Sequence, residues 1–91
     1  MNNKTLNEEL WEFPCQLSLK AMGLAEHPLE EIICTIADTH CSVVYSETLT
    51  SRESRTGKYR SITLSVQCDT KEQVEKLYLE LGEREEIKWT L

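Results

Sequence analysis

An alternating stretch late in the chain limits what this sequence can fold into more than any other feature. Along residues 59–68 apolar and polar side chains take turns, with the apolar set at Ile62, Leu64, Val66 and Cys68. Because successive side chains of a β-strand point to opposite faces, this period of two predicts a strand with one buried face and one polar face. We therefore expect a sheet that is covered on one side only.

Two helical patterns can supply that cover. Pro28 suits the first turn of a helix, and apolar residues follow it with helical spacing: Leu29, Ile32, Ile33, Ile36 and Ala37, with His40 on the same stripe. Thr70 and Gln73 have the spacing of a capping box and predict the start of a second helix, which we expect Gly82 to end. Its inward residues are Val74, Leu77, Tyr78 and Leu81.

Three more stretches read as strands. Residues 15–22 alternate, with Cys15, Leu17, Leu19 and Ala21 inward, and in residues 87–91 Ile87, Trp89 and Leu91 alternate with polar residues. Residues 43–51 are strand-like by their β-branched content, and we expect Val43, Tyr45 and Leu49 to share one face. Thr5 with Glu8 predicts a short helix over residues 5–12, so that residues 1–14 form an N-terminal extension.

The resulting order is strand, helix, strand, strand, helix, strand. With right-handed crossovers it predicts an α+β fold, a ferredoxin-like βαββαβ sandwich within one domain over residues 1–91. In it a four-stranded antiparallel sheet carries two helices on one face, and strands 43–51 and 87–91 form its edges. The uncovered face should be rich in hydroxyl and amide groups with almost no aromatic residue; it is expected to carry Gln16, Ser18, Lys20, Ser61, Thr63, Ser65, Gln67, Lys88 and Thr90.

Length and charge narrow the class of protein. The chain has 91 residues and a formal net charge of −6, so as a whole it repels nucleic acid and anionic membranes. It shows neither a signal-peptide pattern nor a membrane-spanning run, and a cytoplasmic protein with reduced thiols is the expectation.

A basic cluster interrupts this acidic chain within RESRTGKYR, residues 52–60. A phosphate-binding loop is excluded, because Arg52 stands where the first glycine belongs, Tyr59 replaces the hydroxyl residue, and the Gly-Lys pair precedes a strand. We interpret the stretch as a turn at Gly57 bearing a positive rim. The candidate partner-binding residues are Arg52, Arg55, Lys58, Tyr59 and Arg60. Nucleic acid is an unlikely partner, because the uncovered face is expected to lack stacking aromatics.

No catalytic or metal-binding constellation is predicted, and no cofactor. Cys34 and Cys41, seven residues apart on a helix, would be separated by about 10.5 Å, too far to share one zinc ion. His40 is expected to be a partly buried helix residue. Cys15 and Cys68 are expected to be inert, inward thiols at opposite ends of two parallel strands.

Five collinear stretches, LNEELWEFP, LKAMG, SRTGKYRSITLSV, EQVEKLYLELG and IKWTL, cover the chain from Leu6 to Leu91. In them the chain resembles the YbeD-like family of small bacterial proteins, which is sometimes labelled lipoate-regulatory. The resemblance implies a fold similar to the ACT regulatory domain and brings no catalytic residues. Because ACT domains bind small effectors near the glycine after their first strand, it makes Met22 and Gly23 candidate ligand-binding residues. The alternative for Gly23 is a strand-end turn that needs positive φ.

Two functions are compatible with these observations. The first is a non-enzymatic regulatory or binding module of ACT-like type, which acts through a protein partner or a small ligand and has a link to lipoate metabolism that only the resemblance implies. The alternative is an interaction or oligomerisation module that uses its exposed sheet edges, with a homo-oligomer as one outcome. Weak nucleic-acid binding ranks third.

Overall fold

The computed structural model describes residues 12–90. Its elements are β1 (Cys15–Leu24), α1 (Leu29–His40), β2 (Val43–Glu53), β3 (Tyr59–Cys68), α2 (Lys71–Glu83) and β4 (Ile87–Thr90). The strands form one antiparallel sheet in the order β2-β3-β1-β4, which leaves β2 and β4 at the edges. The predicted α+β ferredoxin-like fold is therefore confirmed. The predicted helix over residues 5–12 falls outside the described residues except at its last position, as does Leu91.

Both helices pack on the same face of the sheet, where the apolar halves of the alternating strands meet the helical stripes. The predicted inward residues of β3 are all fully buried, and α1 buries its five apolar stripe residues. The core cluster consists of Leu19, Ala21, Leu29, Ile32, Ile33, Ile36, Ala37, Ile62, Leu64, Val66, Leu77, Leu81 and Ile87.

Helix α2 begins as the sequence predicts but ends later. The Thr70 hydroxyl accepts a hydrogen bond from the Gln73 backbone N–H at 3.2 Å, which caps the first turn. Gly82 does not end the helix, and that prediction is wrong. Gly82 lacks the positive φ that a glycine helix stop requires, so the helix continues to Glu83 and stops where Arg84 takes an extended conformation.

A wide bulge in β2 overturns the predicted faces of that strand. Tyr45 lies opposite Ser65 and Thr50 opposite Thr63, so five steps along β2 match two along β3. The three extra residues are an odd number, which reverses the inward and outward positions across the bulge. Val44 and Leu49 therefore both pack against the core, whereas Val43 is exposed and Tyr45 lies on the uncovered side.

The bulge is closed by the side chain of Thr48. Its hydroxyl donates to the Tyr45 carbonyl at 2.6 Å and accepts from the Ser65 backbone N–H at 2.9 Å. The Ser65 N–H would otherwise lose the ladder acceptor that a regular strand provides. One hydroxyl thus replaces a missing backbone group.

A second irregularity moves Trp89 to the uncovered side of the sheet. Met22 lies opposite Trp89 but Gly23 lies opposite Ile87, so Lys88 is one residue too many for the ladder. Ile87 consequently faces the core, whereas Trp89 points away from it and is 51% exposed. The prediction that Ile87 and Trp89 share a face is wrong, and Thr90, predicted to face outward, stands opposite the buried Ala21.

The cysteines also differ from expectation. Because β1 and β3 are antiparallel neighbours, Cys15 lies directly opposite Cys68 instead of at the far end of a parallel strand. Cys41 follows the last residue of α1, and its Sγ is 3.7 Å from the Sγ of Cys68. The three thiols therefore meet at one end of the sheet.

Candidate binding surface on the open sheet face

Among residues 12–90 no helix covers the face of the sheet turned away from α1 and α2, and we call it the open face. Register places one set of side chains from all four strands on it. These are Gln16, Ser18, Lys20, Met22 and Leu24 of β1, Val43, Tyr45, Thr50 and Arg52 of β2, Tyr59, Ser61, Thr63, Ser65 and Gln67 of β3, and Trp89 of β4.

One row of this face crosses the whole sheet. Arg52 lies opposite Ser61, Ser61 opposite Met22, and Met22 opposite Trp89. We call these four residues the cross-strand row. At its ends are the Arg52 guanidinium and the Trp89 indole. Ser61, between larger side chains, is small and only 8% exposed.

Aromatic residues concentrate at the Trp89 end of the row. The Tyr59 and Trp89 rings meet edge to face, with centroids 5.4 Å apart at 67°. The Nζ atom of Lys58 is 5.5 Å from the Tyr59 ring centroid, within the range of a cation–π contact. Tyr45 also lies on the open face, opposite Ser65 and away from the row. The expectation of an open face almost without aromatics is therefore wrong, because the two bulges place Tyr45 and Trp89 on its side.

The open face has a different charge from the helix side. Its register positions include Lys20 and Arg52 and no aspartate or glutamate. At its border stand Lys58 and Asp69, and the Asp69 carboxylate accepts a hydrogen bond from Gln67 Nε2 at 3.3 Å; Glu47, within the bulge, has no register position. The helices carry carboxylates instead: Glu30, Glu31, Asp38, Glu72, Glu75, Glu80 and Glu83. The carboxylates of the two helices thus lie on the side of the sheet opposite the open face.

The structure divides the predicted basic rim. Gly57, with φ of 79°, makes the turn between β2 and β3, and Arg55 is exposed on that turn. Arg52, Lys58 and Tyr59 border or lie on the open face. The side chain of Arg60 points to the opposite side, towards α1.

Arg60 is held at the start of α1 by two contacts. Its Nη1 donates to Glu30 Oε2 at 3.0 Å and its Nη2 to the His27 carbonyl at 2.7 Å. Its Nε is buried, with no hydrogen-bond partner among the described residues. The Arg60 guanidinium therefore stabilises the loop before α1.

Met22 and Gly23, the ligand-binding candidates, also face opposite sides. Met22 is on the open face beside Trp89, whereas Gly23 is buried within β1 and faces the helices. A Cβ atom built on Gly23 would overlap the Glu86 carbonyl oxygen and lie 3.0 Å from Leu29 Cδ2. The alternative reading of Gly23 as a positive-φ turn is wrong, because Gly57 alone among the described glycines has positive φ; close backbone approach explains Gly23.

Away from the open face, the cysteines and His40 are partly or fully buried. Burial, followed by the neighbouring Cys68, raises the pKa of Cys41 to about 12, and burial raises the pKa of Cys15, Cys34 and Cys68. His40 Nε2 is 2.6 Å from Glu80 Oε1, beside a cleft of about 510 Å³ between the helices that Leu79 and Glu83 also line. Within residues 12–90 no three His, Cys, Asp or Glu side chains are grouped to hold a metal ion.

Fold and surface together define a small ferredoxin-like α+β domain whose open sheet face carries aromatic and basic side chains. The chain belongs to the family described as "Protein of unknown function (DUF493)", which matches residues 8–91. Its relatives are UPF0250 proteins, and the resemblance to YbeD-like bacterial proteins is confirmed.

Three relatives show how completely the chain is matched. A UPF0250 protein of Photorhabdus laumondii is 38% identical over 88 residues, 97% of this chain and 99% of its own length. One of Vibrio parahaemolyticus is 33% identical over 91 residues, 100% and 97% of the two chains. One of Hahella chejuensis is 31% identical over 80 residues, 88% of each chain. No solved structure matches the chain. None of the described helices is long and apolar enough to cross a membrane.

Proposed function

We propose that this protein is a non-enzymatic binding module of the ACT-like regulatory type, and that it docks an acidic segment of a partner protein on its open face. The observation that carries the proposal is the cross-strand row, with Arg52 at one end and the half-exposed Trp89 at the other. Tryptophan and arginine are the side chains most enriched at the energetic centres of protein interfaces.

Charge complementarity supports an acidic partner. The cations of Lys20, Arg52 and Lys58 lie on or beside a surface without carboxylates at its register positions, on a molecule of net charge −6. A short acidic segment can approach this face while the carboxylates of α1 and α2 remain on the far side. Such complementarity mainly sets partner choice and association rate.

A protein segment fits this face better than a nucleic acid. Base stacking in sheet-based RNA-binding domains uses aromatic residues in the middle of the two central strands. Here the middle of β1 and β3 presents Ser18, Thr63 and Ser65. A long polyanion would also meet the repulsion of the whole acidic molecule.

The second candidate function is binding of a small effector molecule at the same surface. Gly23 has its helix-facing side closed by Glu86 and Leu29, so a ligand would contact Met22 rather than Gly23. Lipoate and amino acids form a short panel of ligands to test, because the resemblance implies a lipoate link and ACT domains bind amino-acid effectors. Stabilisation against heat by lipoate or an amino acid, lost in Met22→Lys, would favour this version.

The proposal is tested by fluorescence anisotropy with a labelled acidic dodecapeptide whose aspartate and leucine residues occupy every second position, so that both kinds of side chain point to one side of an extended chain. We expect saturable binding that weakens at least tenfold in the Lys20→Glu, Arg52→Glu double variant. Lys76→Glu on α2 is the matched control, because Lys76 is an exposed lysine on the helix side. Equal affinities for wild type and the double variant, or no saturable binding at all, would overturn the proposal.

A further inference from the structure

We infer that the cross-strand row recognises two side chains of the docked segment at a fixed separation, an apolar one at Met22 and Trp89 and a carboxylate at Arg52. The inference rests on the proposed function and names the chemistry of its partner. The segment is extended, runs across the strands, and carries the carboxylate four residues from the apolar anchor.

The separation follows from the sheet. Arg52 and Trp89 stand in one row on the two edge strands, so three interstrand steps divide them. At about 4.8 Å per step this is roughly 14 Å. An extended chain advances about 3.4 Å per residue, so four residues span the row. Residues four apart in an extended chain also point to the same side, as recognition by one flat face requires.

The Trp89 end is built to receive an apolar side chain. The indole is 51% exposed and rests edge to face on Tyr59, so little side-chain freedom remains to be lost on binding. Met22 lies opposite it on the neighbouring strand and supplies a flexible thioether that adapts to different shapes. The pair offers an apolar contact at the β4 edge of the open face.

The Arg52 end is free to receive a carboxylate. Its backbone carbonyl accepts a 3.4 Å hydrogen bond from Ser61 Oγ, and among residues 12–90 no side chain forms an ion pair with its guanidinium. Arg60 differs, because its Nη1 donates to Glu30 and its Nη2 to the His27 carbonyl. A planar guanidinium can bind a carboxylate through two parallel hydrogen bonds.

Between its two ends the cross-strand row has a small polar side chain. The buried Ser61 lies between Arg52 and Met22, and Thr63 and Lys20 flank it in the next row of the open face. The three residues between anchor and carboxylate therefore need no large side chain pointing to the sheet. Small polar spacers suffice.

The test uses fluorescein-labelled peptides with one leucine and one aspartate separated by two, three, four or six positions in a Gly/Ser/Thr background. Anisotropy titrations with the full chain should give the tightest binding at a separation of four, at least tenfold tighter than at three, where the two side chains point to opposite sides.

Two variants assign the ends of the row. Arg52→Glu should remove the aspartate preference and favour a peptide with lysine at that position, while Trp89→Ala should abolish the gain from leucine but keep the gain from aspartate. Circular dichroism verifies that each variant is folded, and Lys76→Glu should bind like the wild type.

The outcomes separate this inference from the function it rests on. Acidic peptides that bind the open face equally well at every separation overturn the inference and leave the proposed function standing. If no acidic peptide binds, both fail. Tighter binding of a twelve-residue oligothymidylate, lost in Arg52→Glu, would overturn both in favour of a nucleic-acid surface.

Discussion

Thr48 shows how a single hydroxyl supports an irregular strand. It joins the Tyr45 carbonyl and the Ser65 N–H across a bulge in which β2 has three more residues than β3 needs. Without that hydroxyl both backbone groups lose a partner in a partly buried position. The bulge in turn decides which side of the sheet Tyr45 and Leu49 occupy.

We expect Thr48→Val, which keeps the side-chain shape, to lower the free energy of unfolding by about 1–2 kcal/mol through loss of these hydrogen bonds. Thr48→Ser keeps the hydroxyl and should cost about 0.5 kcal/mol or less. Urea titration followed by circular dichroism measures both. Equal losses in the two variants would show that the methyl group, and not the hydroxyl, supports the bulge.

Gly23 depends on a different constraint, because the chain before β4 crosses directly over it. A Cβ atom there meets a carbonyl oxygen of the backbone and not the movable end of a side chain. We expect Gly23→Ala to destabilise the domain by about 2 kcal/mol or more, as overpacking against backbone does. The measurement is the urea midpoint.

Gly82 is the matched control for that substitution. It lies inside α2, and a Cβ atom built on it meets nothing within 4 Å. Gly82→Ala should therefore raise the free energy of unfolding by about 0.5–1 kcal/mol, because alanine favours the helix. A harmless Gly23→Ala would contradict the close approach of Glu86 to β1.

At the level of elements, Arg60 connects β3 to the beginning of α1. Its contacts with Glu30 and the His27 carbonyl fix the segment between β1 and α1. Arg60→Gln should lower the free energy of unfolding by about 1–2 kcal/mol. Arg55→Gln, at an exposed position on the turn, should change it by less than about 0.5 kcal/mol. Thermal unfolding of the two variants compares them, and an equal effect would show that Arg60 is a surface residue.

The regular elements could be predicted because their signals are local. The alternation of Ile62, Leu64 and Val66 and the apolar stripe of α1 each repeat over ten or more residues, and both helices and the central strand follow them. Register between strands is not local. The sequences of residues 43–51 and 87–90 contain no signal for the extra residues that form the two bulges. Tyr45 and Trp89 were therefore predicted on the wrong side of the sheet.

That difference determines how much of the candidate surface was visible in the sequence. Met22, Arg52, Lys58 and Tyr59 were already candidates on grounds of charge and resemblance, and they lie on or beside the open face. Trp89 was not a candidate, because a strand of four residues is too short for one bulge to be anticipated. Gly82 was misjudged for a similar reason, since a glycine ends a helix only where the following chain needs a left-handed turn.

Residues 12–90 are divided into an acidic helix side and an open face without carboxylates at its register positions. On the helix side Lys71–Glu75 and Lys76–Glu72 pair along α2. Such exposed pairs add little stability, so the division of charge bears on partner choice rather than on folding.

The thiol cluster is expected to make the domain less stable at alkaline pH. Burial and the nearby Cys68 raise the pKa of Cys41 from 9.0 to about 12, so the folded chain keeps a proton that the unfolded chain releases. The stabilisation is complete below pH 9 and is lost as pH rises from about 9 to 12. Urea titrations between pH 8 and 11 should show a steeper decline for the wild type than for Cys41→Ser. Parallel declines would contradict the burial of this thiol.

The β2 bulge also shortens the regular edge that this strand presents to other chains. An edge strand displays unpaired backbone donors and acceptors, which invite strands from other chains and thereby fibril growth. In β2 the register breaks between Tyr45 and Thr50, which leaves two short regular runs, Val43–Tyr45 and Thr50–Glu53. An incoming strand can extend neither run past the break without losing register. Thr48, which closes the break, thereby limits the length of regular edge that another chain could pair with.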